Sequence, residues 1–237
     1  MMILSGYSVN SDAKSTWCDF PKKEIDVHLK SFLPTPQKQV FYTNNKDYTF
    51  DGVDVRQINF ETKGTHGFIL KHQLLEQFFS EYPEENDVLY VDYDTFLNGD
   101  IVEEEIITDR GFSISICYGG KMRLQGGVFY VNREYFYKTH RTFIQYMIDY
   151  DNNPENTFVS DEPLLAHFLV FEHDVSFGTL QSKYNYCMHK FKHRTKYNEE
   201  CPVILHFHVN TDRAYRKAYP FMSENLKTLI QDEYFGK

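Results

Sequence analysis

The sequence predicts an α/β fold built as one compact domain. Three observations carry that expectation. Short apolar runs are bounded by turn residues, segments of helical period alternate with those runs, and 41% hydrophobic with 25% charged residues over 237 positions is a globular balance. Met2-Ile3-Leu4 reads as the first strand, Gln39 to Thr43 as the second, and Val53 to Phe60 as a short third. Phe68, Ile69, Leu74, Leu75, Phe78 and Phe79 recur at helical spacing, so 67 to 81 is an amphipathic helix that stops ahead of Pro83. Val88 to Val91 is a buried strand, and Phe112 to Cys117 and Gly127 to Asn132 are two more. Helices are expected from Glu134 to Tyr150 and from Asp161 to Phe171. Pro202 to Phe207 is apolar enough for a late buried strand, and Leu226, Leu229 and Ile230 mark a closing amphipathic helix. No repeat, low-complexity tract or linker interrupts this order.

Composition excludes several classes. The four cysteines, Cys18, Cys117, Cys187 and Cys201, are too scattered for a disulfide scaffold or a structural zinc site. No run approaches the roughly 20 apolar residues of a membrane span, and the start of the chain lacks a signal-like pattern, so a cytoplasmic, reduced protein is expected. Alanine occurs only four times while Lys, Asn and Ile abound, the bias of AT-rich genomes such as those of many phages, viruses and low-GC bacteria. The net charge of −9 argues against a general nucleic-acid coat. Yet residues 183–217 carry eight basic and three acidic side chains, a local +5 that leaves −14 elsewhere, with four histidines and several aromatics interleaved. This stretch reads either as a solvated loop or as a phosphate-facing rim.

The chemistry is expected where Val88-Leu89-Tyr90-Val91 runs directly into Asp92-Tyr93-Asp94. Ligands of open α/β sheets bind at the carboxyl ends of strands, and a close carboxylate pair there can hold a hard divalent cation that also bridges nucleotide phosphates. With 17 aspartates in the chain, one Asp-x-Asp is expected by chance, and a second, Asp149-Tyr150-Asp151, reads as a solvated helix end. Position on a strand end separates the two. Asp92-x-Asp94-Thr95 also resembles the first motif of haloacid-dehalogenase-type phosphatases, with Asp92 as nucleophile and Asp94 as acid/base. In those enzymes the motif usually ends the first strand, whereas about ninety residues precede it here, and no late Asp-Asp pair completes their magnesium site.

The order of elements from Met2 to about Arg213 instead resembles the GT-A nucleotide-sugar glycosyltransferases, and within them family 8, the group of glycogenin and bacterial galactosyltransferases. The signals occur in that group's order: the first strand and loop Ile3 to Asn10 with Lys14, Lys71 within its helix, the Asp92-Tyr93-Asp94 motif, and the return Asn98-Gly99-Asp100-Ile101. Next come Leu124-Gln125-Gly126-Gly127 before a strand, Ser160-Asp161-Glu162-Pro163 opening a helix, and His206-Phe207 ending the late strand. The resemblance implies a Rossmann-like mixed central sheet flanked by helices, with a nucleotide-binding half at 1–100 and an acceptor-side half at 101–237. There are departures. Gln125 stands where the family tends to have Asn, Glu162 where it tends to have Gln, and the Gly and Lys-Pro-Trp after His-Phe are missing, so Arg213 is expected to take the phosphate contact.

What the resemblance implies is a metal-dependent hexosyltransferase that moves a sugar from a nucleoside diphosphate, a UDP-sugar in the first place, to a hydroxyl acceptor with retention. Manganese or magnesium would be held by Asp92, Asp94 and His206, with His208 on the same strand face as the rival ligand. Ser5, Gly6, Tyr7, Asn10, Lys14, Lys71, Tyr93, Gly126, Gly127 and Arg213 are expected to bind the nucleotide sugar. Asp161, Glu162 and Gln125 are expected at the reacting centre. Several also have a bland reading: His206 as a buried strand histidine, Tyr7 as core, Gly126-Gly127 as a bulge, Lys71 as an exposed helix face, and Asp161 and Glu162 as helix N-terminal charges. The acceptor is a glycan, a protein hydroxyl or a hydroxymethylated DNA base. A nucleotidyltransferase would want a glycine-rich basic loop after the first strand, which Gly6 alone does not supply. The phosphatase and a non-catalytic nucleotide-binding module remain the alternatives.

Overall fold

The computed structural model describes residues 1–9, 20–60, 68–118, 122–151, 161–169, 176–187, 201–207, 215–216 and 218–235. Four parallel strands form half of the central sheet: β1 (Met2–Tyr7), β2 (Gln39–Thr43), β3 (Asp54–Gln57) and β4 (Asp87–Val91). The other half is β6 (Phe112–Tyr118), β7 (Met122–Asn132) and β8 (Gly178–Leu180), giving the order β3-β2-β1-β4-β7-β6-β8. Only β7 runs against the others. A small second sheet pairs β5 (Thr95–Leu97) antiparallel with β10 (Ile204–His206), which runs parallel to β9 (Tyr186–Cys187).

Alternation of side chains sorts the strands' apolar residues into two layers. Met2, Leu4, Val88, Tyr90, Phe129 and Val131 face one cluster with Leu74, Leu75, Phe78 and Phe79 of α2 (Phe68–Glu81) and Phe143 and Met147 of α5 (Arg141–Asp151). Ile3, Leu89, Val91, Val128 and Tyr130 face the other, with Phe32 of α1 (Lys22–Phe32). A third cluster joins Phe96, Leu205 and Phe207 to Leu226 and Ile230 of α7 (Glu224–Ile230). Because β1 and β4 are covered on both faces, they carry the unbroken apolar runs Met2–Leu4 and Val88–Val91 rather than an alternating pattern.

The sequence expectation holds for every predicted strand and for α2 and α7, with shifted ends. The helix expected from 134 to 150 is three joined pieces: α4 (Arg133–Tyr135), a π-helical turn at Phe136–His140, and α5. The π turn lets buried His140 reach His72 of α2, with Nδ1 of His72 2.9 Å from Nε2 of His140. Helix α6 (Asp161–His167) begins as expected, and its predicted end at Phe171 lies outside the described residues. Helix α1 was not expected, nor were the short α3 (Glu103–Ile106), β5, β8 and β9. Among the described residues no helix is long and apolar enough to cross a membrane.

Candidate metal centre

Strand β4 delivers Asp92 to the edge of the sheet, where its N–H still donates to the Gly127 carbonyl (2.8 Å), the last step of the β4–β7 ladder. The chain then turns sharply. Thr95 donates to the Asp92 carbonyl both from its N–H (3.0 Å) and from Oγ1 (2.6 Å), so the Asp-x-Asp-Thr sequence closes on itself and enters β5. Strand β10 pairs with β5 so that His206 lies opposite Thr95, and the Phe207 N–H donates to the Asp94 carbonyl (3.1 Å). Strand pairing thus brings an imidazole from more than a hundred residues downstream onto the carboxylate pair.

His206 Nε2 lies 3.4 Å from Asp94 Oδ1 and 4.0 Å from Asp92 Oδ2. One ligand atom from each of the three residues falls within 4.8 Å of the other two, the only such group of metal-ligating side chains among the described residues. Donors about 2.1 Å from a small divalent ion sit roughly 3 Å apart when adjacent and about 4 Å when opposite, so these separations fit one cation. Two carboxylates and an imidazole suit a divalent cation that accepts both oxygen and nitrogen donors, and they leave further ligand positions to be filled from elsewhere. Burial works against a charged His206, but the field of Asp94 and the hydrogen bond to it prevail and hold the imidazole well above its ordinary range.

The surroundings are built to hold these groups. Tyr90, two residues before Asp92 on the same strand face, donates from Oη to Asp92 Oδ1 (3.0 Å). Lys71 of α2 is buried; its Nζ lies 3.5 Å from Asp92 Oδ2 and donates to the Gly126 carbonyl (3.1 Å). Asn185 bonds His206 Nδ1 through Oδ1 (2.9 Å) and donates from Nδ2 to the Gln125 carbonyl (3.0 Å). Under the loop, buried His28 of α1 contacts the Thr95 carbonyl (2.7 Å) and Ser5 Oγ (3.1 Å). Burial pushes His28 down to about 4, against the hydrogen bond to Thr95 and the field of Asp94.

Residues 125–127 form the opposite wall. The register between β6 and β7 jumps from Ile114 paired with Phe129 to Ser115 paired with Gln125, so Gly126, Gly127 and Val128 bulge out of that ladder. The Gly126 N–H donates to Glu162 Oε1 (3.1 Å), tying the bulge to α6. A Cβ on Gly127 would stand 2.0 Å from the His206 ring, so only glycine admits the imidazole here. Gln125 is buried, with Oε1 against the Cys187 thiol, and its Nε2 has no hydrogen-bond partner among the described residues.

The remaining expected residues are distributed around this centre. Ser5 is buried with its hydroxyl on His28, and Gly6 lets α2 and β2 close on β1, since a Cβ there would meet Leu74 Cδ1 at 2.4 Å. Tyr7 is buried and packs edge-on against Tyr93 with centroids 4.9 Å apart, and burial pushes the Tyr93 hydroxyl up. Asn10, Lys14, His208 and Arg213 lie outside the described residues, as does the side chain of Asp161. Most of the basic stretch does too; at its start, Lys183 pairs with Glu105 (2.6 Å). Sequence reasoning missed Tyr90, Asn185, Cys187 and His28. Tyr90 carries a legible signal in its two-residue offset from Asp92, whereas Asn185 reaches the site only through the β9–β10 pairing.

No protein-family model and no curated protein matches the chain. Solved structures do. GlyE, a glycosyltransferase of Streptococcus pneumoniae TIGR4, superposes with a TM-score of 0.62 at 17% identity over 98% of this chain. This chain spans 60% of the GlyE structure's length. A glycosyltransferase involved in glycosylation of the major capsid of PBCV-1 gives 0.54 at 15% identity, covering 92% of this chain and 98% of that one. The galactosyltransferase LgtC, in complex with donor and acceptor sugar analogs, gives 0.57 at 12% identity over 97% of this chain and 100% of its own. Likenesses at these identities establish the fold.

Proposed function

We propose that this chain, which has the GT-A fold of the glycosyltransferases it resembles, is a metal-dependent hexosyltransferase moving a sugar from a UDP-sugar to a hydroxyl acceptor. The observation that carries the reading is the convergence of Asp92, Asp94 and His206 at the end of β4. A cation held there supplies Lewis-acid stabilisation of the departing diphosphate. The chain's own residues do the remaining work. Asp92 and Asp94 offer hard oxygen donors and His206 a nitrogen donor, and Lys71 and Arg213 share the negative charge that develops as the anomeric bond breaks. The Gly126-Gly127 bulge would let a sugar ring approach the backbone, and Glu162, whose Oε1 accepts from the Gly126 N–H, would bond sugar hydroxyls together with Asp161. Gln125 lies on the same wall. The resemblance assigns the nucleoside to Tyr7 and Tyr93 with Ser5 and Gly6, and to Asn10 and Lys14, which lie outside the described residues.

Retention of the anomeric configuration goes with the family 8 likeness, and a glycan hydroxyl is the acceptor best supported, since LgtC was solved with an acceptor sugar analog. Incubation with a panel of UDP- and GDP-sugars, with and without manganese, tests the reading. Slow donor hydrolysis that requires the metal is expected. Release of phosphate from simple monoesters would instead mark the phosphatase, and nucleotide binding without turnover of any donor the non-catalytic module.

A further inference from the structure

Asn185 stands at a junction that the transfer chemistry does not itself require. Its amide sits between the His206 ring and the backbone of the glycine-rich wall, fully buried. The Gln125 carbonyl is only an acceptor, so the Asn185 group 3.0 Å away is the amide NH2. That fixes the amide's orientation. Oδ1 therefore faces His206 Nδ1 at 2.9 Å, and because Oδ1 is only an acceptor, Nδ1 must carry a hydrogen. The Cys187 thiol also approaches Nδ1 but is farther away, at 3.8 Å. Nε2, on the opposite side of the ring, is the atom turned to Asp92 and Asp94.

We propose that Asn185 is a positioning residue that locks His206 with its proton on Nδ1 and so dedicates Nε2 to the cation. The inference rests on the metal-binding reading above and deepens it. A histidine ligand needs its second nitrogen tied to an acceptor to fix both tautomer and ring angle, and loss of such partners typically weakens metal affinity 10–100-fold. The same amide joins two walls of the site. Its other arm grips the Gln125 carbonyl, so the ring angle of the metal ligand and the position of the Gly126-Gly127 bulge are set by one side chain.

Manganese binding to the intact chain, followed by the electron paramagnetic resonance of the free ion, separates the outcomes. Asn185→Ala should bind manganese about 10–100-fold more weakly than wild type. Asn185→Asp, which keeps an acceptor for Nδ1, should restore most of that affinity, and a merely structural role would show no such rescue. Histidine-labelled wild-type protein loaded with zinc should show the His206 proton on Nδ1 by long-range proton–nitrogen correlation. If wild type binds manganese but Asn185→Ala binds it equally well, or if the zinc-loaded ring carries its proton on Nε2, the inference is overturned while the metal reading stands. If wild type binds no divalent ion, both fall together. Should Asn185→Ala fail to fold by circular dichroism, the wild-type spectrum and the Asn185→Asp affinity decide.

Discussion

The His206 imidazole occupies the space a side chain on Gly127 would fill: a Cβ built on that glycine would lie 2.0 Å from Cε1 and 2.4 Å from Nδ1. The second glycine of the pair is therefore a condition for His206 to reach Asp92 and Asp94. Gly127→Ala should displace the ring and weaken manganese binding at least tenfold, with destabilisation of about 1–3 kcal/mol from overpacking. Titration with manganese alongside thermal melts checks this. Wild-type affinity in the variant would show that His206 is not a ligand.

Asp94→Asn should abolish metal-dependent donor turnover while leaving the fold intact, because Asp94 lies at the edge of the sheet outside the apolar clusters. Sugar release with and without manganese, next to a circular dichroism melt, provides the check. Unchanged turnover would remove the metal from the mechanism.

Lys71 would compete with a cation for Asp92, since its Nζ is 3.5 Å from Oδ2. In Lys71→Met that competing charge is gone. Manganese should bind severalfold more tightly, while turnover falls because the departing diphosphate loses a positive neighbour. Calorimetric titration and donor hydrolysis rates are the two readouts, and a parallel loss of both would place Lys71 in a purely structural role.

His28 makes the fold acid-sensitive. Burial holds it at about 4 in the folded chain against an ordinary value of 6.5, so the unfolded chain binds the extra proton between those limits. This stability is fully present above pH 6.5 and is lost progressively down to pH 4, amounting to about 3 kcal/mol. Urea unfolding of wild type and His28→Gln across that window should give a steeper loss for wild type. Parallel curves would show that His28 titrates normally.

Much of the architecture was legible because its signals are local. Continuous apolar runs such as Val88 to Val91 mark strands covered on both faces, and α2 shows its buried face at helical spacing. Helix α1 was overlooked although Ile25, Leu29 and Phe32 lie at helical spacing, and all three are buried. Strands β5, β8 and β9, of two or three residues, are too short to establish any period and exist because neighbouring strands supply their hydrogen bonds.

The same division runs through the centre itself. The chain's own order of residues decided that two carboxylates would emerge from a strand end and that a double glycine would precede another strand, since both are consequences of neighbours along the backbone. Which histidine meets them, which asparagine steadies that ring, and why the second glycine can carry no side chain were decided only by folding. Each depends on the β5–β10 and β9–β10 pairings, which bring together residues far apart in sequence. A one-residue shift in that register would turn the imidazole to the other face of its sheet.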